Sequence, residues 1–259
     1  MPSPDVLVIL PTLGDRPEFL RLTLESIARQ RESVALTLVV VVPAAAAGAR
    51  ELALGYGALL VDDPRKGLSE AINRGLAART SETYYAWIGD DDLFRDGGLG
   101  VLRSMLEKQT SAVVAYGGCD YIDPMGKTIT VSRAGALARM LLAWGPNLIP
   151  HPASMIRLDA LAAIGGFDPD LKYAMDLDAF LKLRKHGQFI WTRGSVSAFR
   201  WHPDSLTVAN RRASSAEAEN VKRRHLPASL RPFSPLWHCP VRWASSFAAD
   251  RISAKARAR

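Results

Sequence analysis

The 259-residue sequence predicts an α/β fold, a doubly wound and mostly parallel central sheet flanked by helices. Three observations predict it. Short apolar runs alternate with segments whose apolar residues recur at helical spacing. The run Ala35–Val42 is β-branched and apolar on both faces, which suits a strand covered on both sides. A further apolar run, Tyr84–Ile88, stops at Gly89 and three consecutive carboxylates, Asp90, Asp91 and Asp92. In open α/β sheets the carboxyl ends of strands are where ligands bind.

Taken in order, Asp5–Leu10 reads as the first strand, ending at Pro11-Thr12. Pro17 suits a first helical turn, and Phe19, Leu20, Leu24, Ile27 and Ala28 carry that helix to Gln30. Ala35–Val42 is the second strand, Ala44–Leu54 a helix, Ala58–Val61 the third strand and Leu68–Ala78 a helix with one apolar face. Tyr84–Ile88 is the fourth strand, and right-handed crossovers connect the four. Beyond the carboxylates the pattern loosens. Leu99–Leu106 reads as helix and Ala112–Tyr116 as strand, with a turn between two strands over 121–127. Ala134–Trp144, Leu158–Ile164 (closed by Gly165-Gly166) and Met175–Lys185 read as helices, and Phe189–Trp191 and Val196–Trp201 as strands. Arg211–Arg224 reads as one polar helix.

Composition bounds what the chain does. A hydrophobic content of 48% supplies a sizeable core, within one large domain or one domain and an appendage. No apolar segment reaches the ~20 residues of a membrane span, since the longest, Val34–Ala47, contains Pro43. The first apolar run lacks a basic leader and Asp5 interrupts it, so no signal peptide is expected. Cys119 and Cys239 have no motif spacing, so a cytoplasmic chain without disulfides is expected. Charge is uneven. From Arg211 to the end, eleven Lys and Arg face three Asp and Glu, a net +8 that leaves −1 for the first 210 residues against +7 overall. A near-neutral body argues against nucleic acid. We therefore expect a domain over 1–210 and a basic tail over 211–259. In the tail, Phe233, Leu236, Trp237, Trp243 and Phe247 lie among basic residues. They suit either an anionic membrane surface, which would place the protein peripherally at the inner membrane face, or an arm packed on the domain.

Four polar clusters carry candidate chemistry. Three adjacent carboxylates repel one another and persist most naturally around a cation, although a solvated acidic turn has the same residues. Lys66-Gly67 before a helix, with Asn73 and Arg74 on it, offers free N–H groups and positive charge to an anion, but it matches no phosphate-loop or dinucleotide fingerprint. Asp176 and Asp178 open a helix, where acids either compensate the dipole or, when partly buried, serve as a general base. Arg200 and His202 follow a strand, where the imidazole suits a metal, a diphosphate or plain packing.

In their order these pieces resemble the family-2 glycosyltransferases of the GT-A fold. The matching residues are Val8–Thr12, Lys66-Gly67 with Ala71–Gly75, Asp90–Asp92, Ile164–Asp168, Met175–Asp178 with Leu181–Leu183, and Arg200 and His202 with Ser205. The resemblance covers roughly residues 5–207. It implies transfer of a sugar, as in a hexosyltransferase, from a nucleotide-diphosphate-sugar to a hydroxyl of a carbohydrate or lipid-linked acceptor. It implies inversion at the anomeric carbon and a Mn²⁺ or Mg²⁺ cofactor, in polysaccharide or glycoconjugate synthesis. By the same resemblance Asp90 and Asp92 hold the metal, with Asp92 the direct ligand, and His202 reaches the metal or diphosphate. Pro11 and Thr12 line the nucleotide pocket, and Lys66, Asn73, Asp91 and Arg200 belong to the donor side. Asp176 is the catalytic base, with Met175 where the family often has Glu. His151, Trp144 and Asp178 are acceptor-side candidates. One departure is Val41-Val42-Pro43-Ala44, where the family often places acids and a glycine; Asp62 or Asp63 is the substitute. A catalytically silent nucleotide-sugar-binding relative and a sugar nucleotidyltransferase are the alternatives, the latter without the glycine-rich triphosphate loop it needs.

Overall fold

A computed structural model of the chain describes residues 5–132, 135–202, 210–234 and the single positions 236, 251 and 254. The first half follows the expected alternation: β1 (Val6–Pro11), α1 (Pro17–Gln30), β2 (Leu36–Val42), α2 (Ala47–Gly55), β3 (Leu59–Asp62), α3 (Leu68–Ala77) and β4 (Tyr84–Trp87). β1 lies between β2 and β4, with β3 outside β2, and all four run parallel. Their side chains alternate between two buried layers. Leu7, Ile9, Val39 and Val41 pack on one face with Ala71 and Ile72 of α3. Val6, Val8, Leu10, Val40 and Val42 pack on the other with Leu20, Leu24 and Ile27 of α1. The two-sided apolar run of β2 is thus explained by helices on both faces.

The second half wraps around the end of β4. After Trp87 the chain turns through Gly89–Asp92 into a two-residue strand, β5 (Leu93–Phe94), and then α4 (Gly98–Lys108), β6 (Ala112–Ile122) and β7 (Thr128–Ser132). α5 (Leu137–Leu141), a 3-10 turn (His151–Ala153), β8 (Ser154–Arg157), α6 (Leu158–Ala163), α7 (Met175–Leu183), β9 (Gln188–Arg200) and α8 (Arg211–His225) follow. The sheet order is β3-β2-β1-β4-β8-β6-β9-β5, with β7 on β6. Only Ile88–Asp92 separate β4 from β5 in the chain, yet three strands separate them in the sheet. The sheet therefore curls around that short loop, and the three carboxylates sit inside the curl.

Several elements differ from expectation. β8 runs antiparallel between β4 and β6, and its four residues are too few to show a strand period of their own. β6 runs to Ile122, six residues beyond the expected end, because Gly117 and Gly118 continue the strand under Val196 and Gly194. β9 is one strand where two were expected, and it absorbs Thr192–Ser195 through register shifts against β6. The helix expected over 134–144 is confined to Leu137–Leu141. α8, the first element of the segment expected as a tail, lies against the body, with Val221 fully buried in the layer that holds α7. No helix among the described residues is long and apolar enough to cross a membrane. Ser205, Trp237, Cys239, Trp243 and Phe247 lie outside the described residues.

Candidate active site

A cleft of about 1110 Å³ opens over the carboxyl ends of β1 and β4. Pro11, Thr12 and Gly89–Asp92 form its floor. Asp63, Arg65, Gly67, Asn147–His151, Tyr173, Met175 and Asp176 also line it. A smaller open hollow of about 460 Å³ lies on α8 among Asn220, Arg223, Arg224 and Arg231 and shares none of these groups.

The acidic turn is held from all sides. Thr12 Oγ1 donates to Asp90 Oδ2 at 2.5 Å, and Arg16 donates to Asp90 Oδ1 at 2.6 Å and to Asp91 Oδ2 at 2.5 Å. His202 Nε2 lies 2.8 Å from the same Asp91 oxygen and 3.3 Å from Arg16. Asp92 Oδ1 accepts the Arg200 N–H at 2.9 Å, and Thr23 Oγ1 donates to the Asp92 carbonyl at 2.7 Å. Burial pushes the Asp90 carboxyl up to about 6, against the pull of Arg16 and Thr12. Burial, with Asp91 beside it, pushes Asp92 well above the carboxylate range. Burial acts on Asp91 too, but His202 and Arg16 outweigh it and hold that carboxyl below its ordinary value. Of the three carboxyls, Asp91 alone is held below its ordinary value. Among the described residues no three His, Cys, Asp or Glu side chains stand as a ready cation cage. The Arg16 guanidinium, one-third exposed, occupies the place between Asp90 and Asp91 where a cation would be expected.

The same cleft is lined by Asp176, in the first turn of α7. Asn147 Nδ2 donates to its Oδ2 at 3.1 Å, and the Leu177 N–H donates to its Oδ1 at 2.7 Å. Burial pushes this carboxyl up to about 6, more than those hydrogen bonds lower it. Such a group takes up a proton near neutral pH. His151 lies deeper, packed against Trp87 at 4.6 Å between ring centroids, with Tyr85 Oη 3.3 Å from its Nε2. Burial drives its pKa well below the ordinary value, so the imidazole is neutral.

Pro11, Thr12, Asp90, Asp91, Asp92, His151 and Asp176 thus line one cleft, with His202 behind Asp91. Other expected residues are spent elsewhere. Arg200 is buried, and its guanidinium donates to the carbonyls of Asp91, Asp123 and Pro124 and lies over the Phe19 ring. It shapes the acidic turn from behind and does not face the cleft. Asn73 clamps the Phe167 backbone, donating to its carbonyl at 2.7 Å and accepting from its N–H at 3.0 Å. Lys66 is exposed outside the cleft; its neighbour Arg65 lines it, on a backbone held at φ 58°. Asp178 points away from the cleft, as its place on α7 demands, to Lys182 at 2.8 Å and His225 at 2.7 Å. Asp62 is taken by Arg50 at 2.7 Å, which leaves Asp63 on the cleft. Trp144 is 40% exposed and does not line the cleft. Sequence reading missed Arg16, Arg65 and Asn147. Arg16 alone carried a signal, as a basic residue just past the first strand's polar end.

Comparison with known proteins gives a family and a fold. The sequence profile described as Glycosyl transferase family 2 matches residues 7–164. The curated proteins yielded no match. Among solved structures, S. aureus TarS residues 1–349 in complex with UDP-GlcNAc superposes with a TM-score of 0.67 at 14% identity, over 85% of this chain. The mannosyltransferase PcManGT from Pyrobaculum calidifontis, in complex with GDP-Man and Mn²⁺, superposes with a TM-score of 0.64 at 19% identity, over 96% of this chain and 76% of its own. The chain spans 65% of the length of the TarS fragment. At these identities the likeness is one of fold.

Proposed function

Because the chain belongs to glycosyl transferase family 2, we propose that it is an inverting glycosyltransferase of the hexosyltransferase type. It moves a sugar from a nucleotide-diphosphate-sugar to a hydroxyl of a carbohydrate or lipid-linked acceptor, in polysaccharide or glycoconjugate synthesis. One observation carries this reading. A single cleft is lined both by the acidic turn Asp90–Asp92 and by the buried Asp176 carboxyl, whose pKa burial raises to about 6.

Pro11, Thr12, Asp63 and Arg65, which line the cleft, would bound the nucleotide. Carboxylate oxygens beside an imidazole suit Mn²⁺ or Mg²⁺. Asp90, Asp91 and His202 are the groups that would hold such an ion, in the place the Arg16 guanidinium now fills; Asp92, expected as the direct ligand, instead accepts the Arg200 N–H. When bound, the ion supplies positive charge to the departing diphosphate. Asp176 accepts the acceptor hydroxyl's proton as that oxygen bonds to the anomeric carbon. The bond from that carbon to the diphosphate oxygen breaks on the opposite face, and its electron pair leaves with the diphosphate. Attack opposite the leaving group inverts the centre. UDP-GlcNAc and GDP-Man, carried by the structural relatives, define the first donors to try. The tail adds an anionic membrane contact at the inner face, a reading supported by its charge and by the exposure of Phe233 (56%) and Leu236 (73%). Vesicles with anionic lipid should bind the full chain and release it at high salt; salt-independent or absent binding removes this contact.

The test of the activity is a thermal-shift panel of UDP- and GDP-sugars with and without Mn²⁺, followed by turnover of the best donor. A donor at about 100 times its Kd stabilises by roughly 2.7 kcal/mol. Asp176→Asn should bind that donor normally and turn over at least ~100-fold more slowly. Wild-type turnover should rise with pH through about 6 as Asp176 loses its proton. A panel without a single stabilising nucleotide-sugar would sink the reading.

A further inference from the structure

α8 reads from its sequence as a solvated helix, yet one face of it is fully engaged. Glu217, Val221 and His225 recur every four residues, with Ala218 and Lys222 beside them, and this stripe meets the body. Val221 is fully buried and Lys222 is 5% exposed. Glu217 Oε1 accepts the N–H groups of Tyr173 at 2.6 Å and Ala174 at 2.7 Å, and Oε2 accepts that of Lys172 at 3.1 Å. These N–H groups lead into α7, whose capping position is held by Ala174, a residue with no side-chain oxygen to offer. Glu217 thus holds, from another helix, the three backbone N–H groups that lead into α7, the last of them two residues before Asp176. Lys222 Nζ donates to the Gly145 carbonyl at 2.5 Å, two residues before Asn147, the side-chain partner of Asp176. His225 closes the set on Asp178, on the far side of the same helix.

Three ties from one helix converge on the two segments that aim Asp176. We propose that α8 is the positioning element for Asp176, and that Glu217 is its principal positioning residue, fixing the start of α7 so that the carboxylate faces the acceptor oxygen. This rests on Asp176 as the proton acceptor. The titratable groups that interact with Asp176 are Tyr85 from β4 and Glu217 itself, while His151, Lys172 and Tyr173 line the same cleft. Glu217 is the negative charge among them that adds to the upward push on the Asp176 carboxyl.

The test uses the full chain. Release of nucleoside diphosphate from UDP-GlcNAc and GDP-mannose with Mn²⁺ is followed for wild type, Glu217→Ala, Glu217→Gln, Asp176→Asn and the Glu217→Ala/Asp176→Asn double variant. Amide hydrogen exchange is read on the same proteins. Glu217→Ala should lower kcat about 10- to 100-fold, as a misplaced catalytic group does, with little change in donor KM. Glu217→Gln keeps an acceptor oxygen for Tyr173 and Ala174 and should recover most of that loss. In the Asp176→Asn background, Glu217→Ala should cost nothing further. Amides 172–178 should exchange faster in Glu217→Ala while those of β4 keep wild-type protection. An equal penalty with and without Asp176, a parallel rise in KM, or unchanged exchange over 172–178 would overturn the proposal alone. Normal turnover in Asp176→Asn would overturn it together with the reading on which it rests.

Discussion

Arg16 is the residue on which the electrostatics of the floor turn. Its guanidinium bridges Asp90 and Asp91, so the like charges of the acidic turn are compensated from within the chain. Removing it should have two measurable effects. Arg16→Ala should melt below wild type in EDTA, and Mn²⁺ should raise its melting temperature more than it raises that of wild type. An equal Mn²⁺ shift in both proteins would mean that Arg16 and the ion do not share a place. Asp178 gives a pH prediction with a definite sign. Burial raises its pKa, but His225 and Lys182 outweigh burial and hold it below the ordinary carboxylate value. A depressed folded-state pKa stabilises above the unfolded value of about 3.9 and loses that contribution as pH falls through the folded value. Asp178→Asn should therefore destabilise at pH 7 and converge on wild type at the acid end, as read by urea melts across pH. At this scale the acidic turn and Asp176 were legible, because adjacent like charges and an acid opening a helix are local patterns. The fates of Arg200 and Asn73 were not. Their partners, the carbonyls of Asp91, Asp123 and Pro124 and the backbone of Phe167, lie 76 to 109 residues away for Arg200 and 94 for Asn73.

At the scale of elements, α3 and β1 meet at a glycine that leaves no slack. A Cβ on Gly75 would come within 2.7 Å of the Ile9 side chain, so α3 lies directly on the strand that supplies Pro11 and Thr12. Gly75→Ala should destabilise by about 1–3 kcal/mol through overpacking. Ile9→Ala, which removes all three crowding carbons, should return part of the Gly75→Ala penalty in the double variant, which a urea titration of the single and double variants would show. No return would place the strain elsewhere. The parallel half of the sheet was legible because each βαβ unit repeats a local alternation of strand and helix periods. β8 and the long β9 were not, because their extent is set by pairing. β8 exists where β4 and β6 each leave an edge to fill, and β9 crosses Gly194 only because β6 bends with it.

For the whole molecule, the basic C-terminal segment begins as part of the domain. A chain ending at Asn210 loses Glu217, Lys222 and His225 and uncovers the layer in which Val221 is buried, so it should aggregate or melt without cooperativity. A chain ending at Ser234 keeps all of these and should keep the wild-type transition; calorimetry of the two truncations separates the cases. The charge asymmetry of the sequence suggested a cut at 210, but charge marks what faces water, and α8 buries one stripe of a helix whose other faces are polar. The curl of the sheet around Ile88–Asp92 has a further consequence for how the protein is made. Asp90 leaves the ribosome after Thr12 and Arg16, with its partners already synthesised. Asp92 waits 108 residues for the N–H of Arg200, roughly 5–20 s at ordinary elongation rates of about 5–20 residues per second. During that interval β4 also lacks β8 on one edge. The nascent chain thus passes through a stage with its parallel half complete, an open edge on β4 and Asp92 still without its Arg200 partner.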